Sequence, residues 1–271
     1  MLGKLIKYEF RATARAYLPI YGLMALLTLS VLVAGGYMQD VSLVSGQGLW
    51  WRVLLVSVYG LTVFALLVLT LIVTVNRFYK NLLGNEGYLM FTLPVTTAQN
   101  IFAKLLPSLV WIFVSTLAVA FSAILLFAQA DLRAVLDEVL PAIGRAIQDM
   151  GLGNFLLLAG EVIILALLGA AATLLNIYLA LAIGQLANEH KFLASFGAYL
   201  GLQSLEQFLV LFLSFAGRTR LTDWGEWLIE NLNSLSGVHT TLLLTILVSL
   251  LSCALLYIPT WLLLDKKLNL S

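Results

Sequence analysis

The chain has 271 residues, of which 61% carry hydrophobic side chains and only 11% are charged, and its formal net charge is +1. Soluble domains are about 45–50% apolar and about 25% charged, so this composition excludes a water-soluble globule. The near-neutral charge also gives no support to a nucleic-acid partner, which would require a strong basic excess. The single cysteine, Cys253, lies in an apolar run and cannot form an internal disulfide.

Six stretches are long and apolar enough to cross a membrane, since a spanning helix needs about 20 mostly apolar residues. They predict an all-α polytopic membrane protein with spans over residues 17–37, 53–75, 105–127, 155–183, 192–216 and 242–264. Residues 17–271 then form one six-helix transmembrane domain. An even number of spans puts both termini on one side, and that side carries most of the flanking Lys and Arg. The positive-inside rule therefore predicts cytoplasmic termini.

Residues 1–16, which precede the first span, are amphipathic at helical spacing. Lys4, Lys7, Arg11 and Arg15 share one face, and apolar side chains occupy the opposite one. We expect an interfacial helix on the cytoplasmic surface whose cationic face suits anionic lipid headgroups. Contact with a cytoplasmic partner subunit is the alternative.

The connection between the second and third spans is the longest on the predicted cytoplasmic side. Thr96 and Gln99 form a capping box, which predicts that the next helix begins just after Pro94. Upstream of it we expect a short apolar helix over residues 85–92 and a sharp turn at Leu93 and Pro94. An exposed apolar helix on this side needs a cover of either lipid or protein.

Two amphipathic helices are predicted on the outer side, over residues 131–150 and 222–236. The first is expected to bend near Pro141. The second places Trp224 and Trp227 on one stripe, as membrane-interface anchors or, alternatively, as a substrate gate.

The sequence shows no catalytic constellation. His190 and His239 fall on opposite sides of the membrane in the predicted topology, so they cannot share a metal or a catalytic triad. No phosphate-binding loop is present. The charged residues well inside the spans are Glu161 and Glu206, and no intramembrane Lys or Arg is available to pair with either.

These two carboxylates define a candidate translocation path. A charge in hydrocarbon costs about 2.5–3.5 kcal/mol, so each should face the bundle interior, line a wet cavity or carry a proton. Glu206 shares a helical face with Tyr199, Gln203 and Gln207, which gives the fifth span a polar stripe. Glu161 lies in the outer third of the fourth span. The alternative for both is a protonated or hydrogen-bonded packing contact between helices.

Two motifs resemble a known family. The segment Glu86-Gly-Tyr-Leu-Met-Phe-Thr-Leu-Pro-Val, followed by Lys104-Leu105, resembles the membrane subunits of type 2 ATP-binding-cassette exporters, especially the permeases of Gram-positive bacteria. The N-terminal Leu5-Ile-Lys-Tyr-Glu-Phe-Arg11 is similar to the entry helix of the same proteins. The predicted topology covers the whole chain, whereas the motifs themselves cover only a small part of it.

The resemblance implies a half-transporter in the bacterial cell membrane without ATPase activity of its own. The short helix after the second span would be the coupling helix, which sits in a groove of a separate cytoplasmic ATPase subunit. Its matching positions are Asn85, Glu86, Gly87, Tyr88, Leu89, Phe91, Thr92, Leu93 and Pro94. ATP and Mg²⁺ would bind that partner, and a second permease copy or a paralogue would complete the pathway.

Three functions follow as hypotheses. The first is the permease subunit of an exporter for an amphiphilic lipid, peptide or antibiotic. The second is a secondary transporter or channel that uses Glu161 and Glu206 as ion or proton sites. The third is a membrane scaffold that recruits a cytoplasmic enzyme and transports nothing.

Overall fold

The computed structural model of the chain describes residues 2–41, 47–83, 95–187, 189–216 and 232–266. Its regular elements in these ranges are all helical, as the sequence predicts. A π-helical turn, Tyr79–Leu83, follows directly after the second α-helix. The α-helices are α1 Leu2–Val41, α2 Gln47–Phe78, α3 Thr97–Met150, α4 Leu152–Gly184, α5 Lys191–Ala216 and α6 Leu235–Lys266.

Five of these helices are long and apolar enough to cross a membrane, which indicates a multi-pass membrane protein. Their apolar stretches are Leu2–Val33, Val56–Phe78, Thr97–Leu126, Leu152–Gly184 and Leu235–Asp265. Each overlaps one predicted span, although the first, third and last begin 15, 8 and 7 residues earlier than predicted. The helix α5, which holds the predicted span 192–216, is not among the five, and that span stays a prediction.

The surface and the hydroxyl groups of these helices fit an apolar surrounding. Leu26, Phe64 and Phe121 are exposed although they are large and apolar. The Thr62 hydroxyl donates to the Val58 carbonyl at 2.9 Å, one turn earlier in the same helix. Hydrocarbon offers polar groups no partners, so hydroxyls that bond their own backbone are compatible with it.

Two helices are longer than the sequence predicts. The helix α1 runs without a break through residue 16, so the predicted interfacial segment and the first span form one helix. Likewise, the predicted outer helix 131–150 is the C-terminal part of the 54-residue α3 and not a separate element. Neither junction, 12–17 or 127–131, contains Gly or Pro, so nothing interrupts the backbone hydrogen bonds there. Residues 222–231 of the second predicted outer helix lie outside the described residues.

Gly151 ends α3 and begins the turn into α4. Its φ of 81° lies in the left-handed region, and its N–H donates to the Ile147 carbonyl at 2.9 Å. Glycine adopts this conformation without the steric cost that a Cβ would add, so the long helix can end sharply here.

The chain forms two compact units. The first comprises Gly3–Thr74 and Leu106–Ala146. Its core contains Tyr17, Met24 and Leu66, with the Trp111 side chain packed against them. The Trp111 and Tyr17 rings stack with centroids 4.7 Å apart, and the Trp111 Nε1–H donates to the Thr13 hydroxyl at 2.7 Å. These contacts fix the first turns of α1 against α3.

The second unit comprises Met1–Leu2, Val75–Leu105 and Ile147–Ser271. Within it, α4 packs against both α5 and α6. The C-terminal half of α4 is buried, including Ala171, Asn176 and Tyr178. Gly184 at its end lies so close to Ser195 of α5 that a Cβ there would overlap the Ser195 backbone. The absence of a side chain at Gly184 thus permits a close approach of α4 and α5.

Candidate functional site

The predicted coupling residues, Asn85 to Pro94, lie outside the described residues, as do Gly84 and the turn at Leu93. The helical ends on both sides of them are described, and they belong to the second unit. The geometry of these two ends determines how the segment is attached to the membrane helices.

The upstream end is firmly packed. Phe78 and Leu82 have no exposed surface, and Leu83 is buried as well. The Phe78 ring stacks on the Tyr178 ring of α4 with centroids 3.9 Å apart and an interplanar angle of 7°. The chain therefore enters the coupling segment from a buried aromatic contact between the end of α2 and α4.

The downstream end begins with the predicted capping box, which is confirmed. The Thr96 hydroxyl accepts from the Gln99 N–H, and the Gln99 Oε1 accepts from the Thr96 N–H, both at 3.3 Å. These reciprocal bonds satisfy backbone donors that the first turn of a helix otherwise leaves unpaired. They fix the residue at which α3 starts.

The same turn of α3 is tied to the end of α6. The Thr97 hydroxyl donates to the Asp265 Oδ1 at 2.8 Å. One residue further along α3, the Ala98 carbonyl accepts from the Tyr257 hydroxyl at 3.3 Å. The sequence reasoning did not anticipate these contacts, because nothing in the pattern of α6 indicates which helix its C-terminal polar groups meet.

A buried polar row continues along α3 from this point. Thr97, Asn100 and Lys104 follow one another at steps of three and four residues, and all three are buried. The Asn100 Nδ2 and, in α4, the Asn176 Oδ1 are buried without a hydrogen-bond partner among the described residues. Such groups resist transfer into hydrocarbon, so this end of α3 belongs to the protein interior.

Glu161 has a partner that the sequence analysis did not predict. Its Oε2 lies 2.8 Å from Nδ1 of His239 in α6, and the two side chains are only 13% and 17% exposed. This contact is of the hydrogen-bonded kind given above as the alternative for Glu161. The sequence reasoning considered only Lys and Arg as partners, whereas His239 sits near the start of α6, at the end of the bundle predicted to be the outer one.

The remaining nitrogen of His239 is also buried. Its Nε2 has no hydrogen-bond partner among the described residues. The hydroxyl oxygen of Thr241, two residues further along the chain, also has none among them. The pair thus links α4 to α6 through one part-buried polar contact.

The polar stripe of α5 is not joined to this pair. Tyr199 and Gln203 are half-buried, whereas Glu206 and Gln207 are exposed. In the described part of the chain, none of the four side chains makes a hydrogen bond or an ion pair. The predicted translocation residues thus fall into two groups: an internal link at Glu161, and an uncovered face at Glu206.

No metal centre is built from the residues that the structure describes. They contain no group of three or more His, Cys, Asp or Glu side chains placed to hold a metal ion. The comparisons with protein-family models, curated proteins and solved structures found no match.

Proposed function

We propose that the chain is the permease subunit of an ATP-driven exporter of the ATP-binding-cassette type. It moves an amphiphilic substrate, such as a lipid, a peptide or an antibiotic, outward across the bacterial cell membrane. A separate cytoplasmic ATPase subunit binds ATP and Mg²⁺ and grips the segment 85–94. The chain itself supplies the pathway and catalyses no reaction.

The observation that supports this proposal most strongly is the anchoring of both ends of that segment. Leu82 and Leu83 are buried where the chain enters it, and Thr96 and Thr97 are bonded where the chain leaves it. Because neither end is loose, a push on the segment moves α2 and α3 rather than being absorbed by flexible chain. Rigid displacement of packed helices is a known way to transmit a change at one site to another.

The segment also carries the apolar side chains Tyr88, Leu89 and Phe91 on the side predicted to be cytoplasmic. A contact with a protein groove removes this apolar surface from water. The motif from Glu86 to Val95, which resembles that of known permeases, supports the ATPase as the protein that provides the groove.

The uncovered face of α5 fits a pathway that a second subunit completes. Glu206 and Gln207 are exposed in a helix whose neighbouring side chains, Leu205 and Phe208, are large and apolar. A carboxylate on such a helix requires a wet or polar surrounding. A second copy or a paralogue opposite this face would enclose such a polar surrounding.

A secondary transporter is the second candidate, and the Glu161–His239 contact favours it. A carboxylate and an imidazole 2.8 Å apart between two apolar helices are a proton-binding pair of the kind that proton-coupled transporters use. This candidate predicts transport that follows a proton gradient without ATP.

The two candidate functions differ in whether an ATPase subunit is bound to the chain. The chain is tagged, extracted from its own membrane in mild detergent and purified, and ATP hydrolysis by the preparation is measured. We expect hydrolysis by a co-purified subunit that contains a phosphate-binding loop, and loss of this subunit in Tyr88→Asp/Phe91→Asp, which places charge in an apolar groove. Trp50→Asp is the control, because Trp50 is also a large aromatic residue, is 75% exposed and is predicted on the outer side.

Retention of the ATPase by Tyr88→Asp/Phe91→Asp would contradict the proposed contact. Vesicles that contain the chain alone provide the complementary measurement. Proton uptake down an imposed pH gradient that disappears in Glu161→Gln, with no ATPase in the native preparation, would support the secondary transporter instead.

A further inference from the structure

The exposed face at the start of α1 is the feature that the proposed function leaves unexplained. Lys4, Lys7, Arg11 and Arg15 are all exposed, and they lie within one side of the helix at about 100° per residue. Tyr8 and Leu18 occupy the same side and are 66% and 62% exposed. We call these six residues the basic face.

Within the described ranges, no acidic side chain pairs with the basic face. None of its four cations makes an ion pair or a hydrogen bond with any residue in the described part of the chain. The one acidic residue of these turns, Glu9, is buried on the opposite side of the helix. Four uncompensated cations on one rigid surface attract an anionic surface of matching extent.

The direction of the basic face is fixed by contacts on the other side of α1. Thr13 accepts from the Trp111 Nε1–H, and the rings of Phe10 and Tyr17 pack against Trp111. The face therefore does not depend on an adaptable loop, and the helix positions that carry its cations are fixed before any ligand binds. Such preorganisation lowers the entropy cost of binding.

The position of the face relative to the predicted first span, residues 17–37, indicates its partner. Since α1 is unbroken from Leu2 to Val41, the axial distances from Tyr17, the first predicted span residue, follow from the helix rise of about 1.5 Å. Arg15 lies about 3 Å and Arg11 about 9 Å before it. Phospholipid headgroups occupy the first several ångströms outside the hydrocarbon. The backbone of Arg15 is thus at the headgroup level, and Arg11 lies within one side-chain length of it.

We propose that the basic face is a binding surface for anionic phospholipid headgroups, with Arg11 and Arg15 as the phosphate-contacting residues. Tyr8 has the amphipathic ring that favours the membrane interface, and Leu18 continues the same side into the apolar layer. A protein partner would need an acidic surface at this depth, where lipid phosphates already lie. Lys4 and Lys7, about 20 and 15 Å from Tyr17, contribute only through the long-range field.

The test uses the full chain in an uncharged detergent. Its unfolding midpoint is titrated with dioctanoyl phosphatidylglycerol or with dioctanoyl phosphatidylcholine, and an apparent Kd is derived for each lipid. We expect tighter binding of phosphatidylglycerol. One cation at the surface contributes about fivefold in affinity, so Arg11→Gln/Arg15→Gln should weaken phosphatidylglycerol binding about 25-fold.

Two further variants separate position from charge. Lys80→Gln/Arg145→Gln removes two exposed cations outside the basic face and should leave the preference unchanged. Lys4→Gln/Lys7→Gln should matter at about 0.01 M salt and have little effect at about 0.1 M, where the Debye length falls to about 10 Å. Gel filtration and circular dichroism check that each variant is folded.

Each of the following results would overturn the proposal. Equal affinity of the wild type for the two lipids would exclude a headgroup preference. If Arg11→Gln/Arg15→Gln keeps the preference for phosphatidylglycerol, or if the control Lys80→Gln/Arg145→Gln loses it, the lipid site lies elsewhere. Equal stabilisation by water-soluble glycerol phosphate would show a phosphate site rather than a lipid site. If Arg11→Gln/Arg15→Gln instead releases a soluble subunit and leaves lipid affinity unchanged, the face contacts protein.

Discussion

Replacing Gly184 by alanine tests the close approach of α4 and α5, which positions the polar stripe of α5. An added Cβ would lie 2.6 Å from the Ser195 Cα and 2.5 Å from the Ser195 backbone nitrogen, besides overlapping the Ser195 hydroxyl. Carbon atoms pack at about 3.5–4.0 Å, so the two helices must separate by roughly 1 Å. Because the obstacle is backbone, no side-chain rotation can relieve it.

The expected magnitude follows from comparison with a glycine that has space around it. Gly169 lies in the same helix, and a Cβ there would meet no atom within 4 Å. Both substitutions gain the same helix propensity, about 1 kcal/mol, so that gain cancels in the comparison. The two variants therefore differ in stability by the cost of overpacking at Gly184. Overpacking costs about 1–3 kcal/mol, and because the added Cβ overlaps backbone we expect the upper end, about 3 kcal/mol.

Thermal unfolding of the purified chain in detergent measures this difference. At about 2–4 °C per kcal/mol for a chain of this size, Gly184→Ala should unfold about 6–12 °C below Gly169→Ala. Adding Ser195→Ala removes the hydroxyl but leaves the backbone in place, so it should restore little of the loss. A Gly184→Ala variant as stable as Gly169→Ala would refute the close approach.

Three further experiments test the site. Glu161→Gln and His239→Ala, alone and combined, form a double-mutant cycle. Thermal unfolding should give a coupling energy of about 1 kcal/mol, between the mean and the maximum measured for such cycles in a membrane protein. Additive effects would show that the two side chains do not interact. Thr96→Ala should destabilise the start of α3 by about 1 kcal/mol, seen as faster hydrogen exchange of its first-turn amides, whereas Thr96→Ser retains the cap; identical exchange in both variants would contradict this. Glu206→Gln should leave the unfolding free energy of the isolated chain within about 0.5 kcal/mol of the wild type, because Glu206 is exposed; a clear loss of stability would place it in a packing contact.

Much of the helical architecture could be predicted from hydrophobic runs, because a membrane span is defined by length and composition. The ends of helices were harder to predict. The joining of residues 131–150 to the third span in α3 shows why: a change from apolar to amphipathic pattern marks a change of environment and does not require a break in the backbone. Only Gly151, where a left-handed φ is required, ends this helix.

The site was predictable where the signal is local. The capping box at Thr96 is a pattern of two residues three positions apart, and the structure contains both of its hydrogen bonds. The Glu161–His239 contact joins residues 78 positions apart. Its prediction requires knowing that α4 and α6 are neighbours, and a single sequence gives no pairing between spans.

The most direct test of the central claim is to identify what lies against the segment 85–94 in the cell. A photo-reactive benzoylphenylalanine replaces Leu89, intact cells are irradiated, and the cross-linked product is identified by mass spectrometry. The proposed function predicts a covalent adduct with a soluble ATP-binding subunit, and no such adduct when the same group replaces Trp50. An adduct confined to lipid or to the chain itself would contradict it.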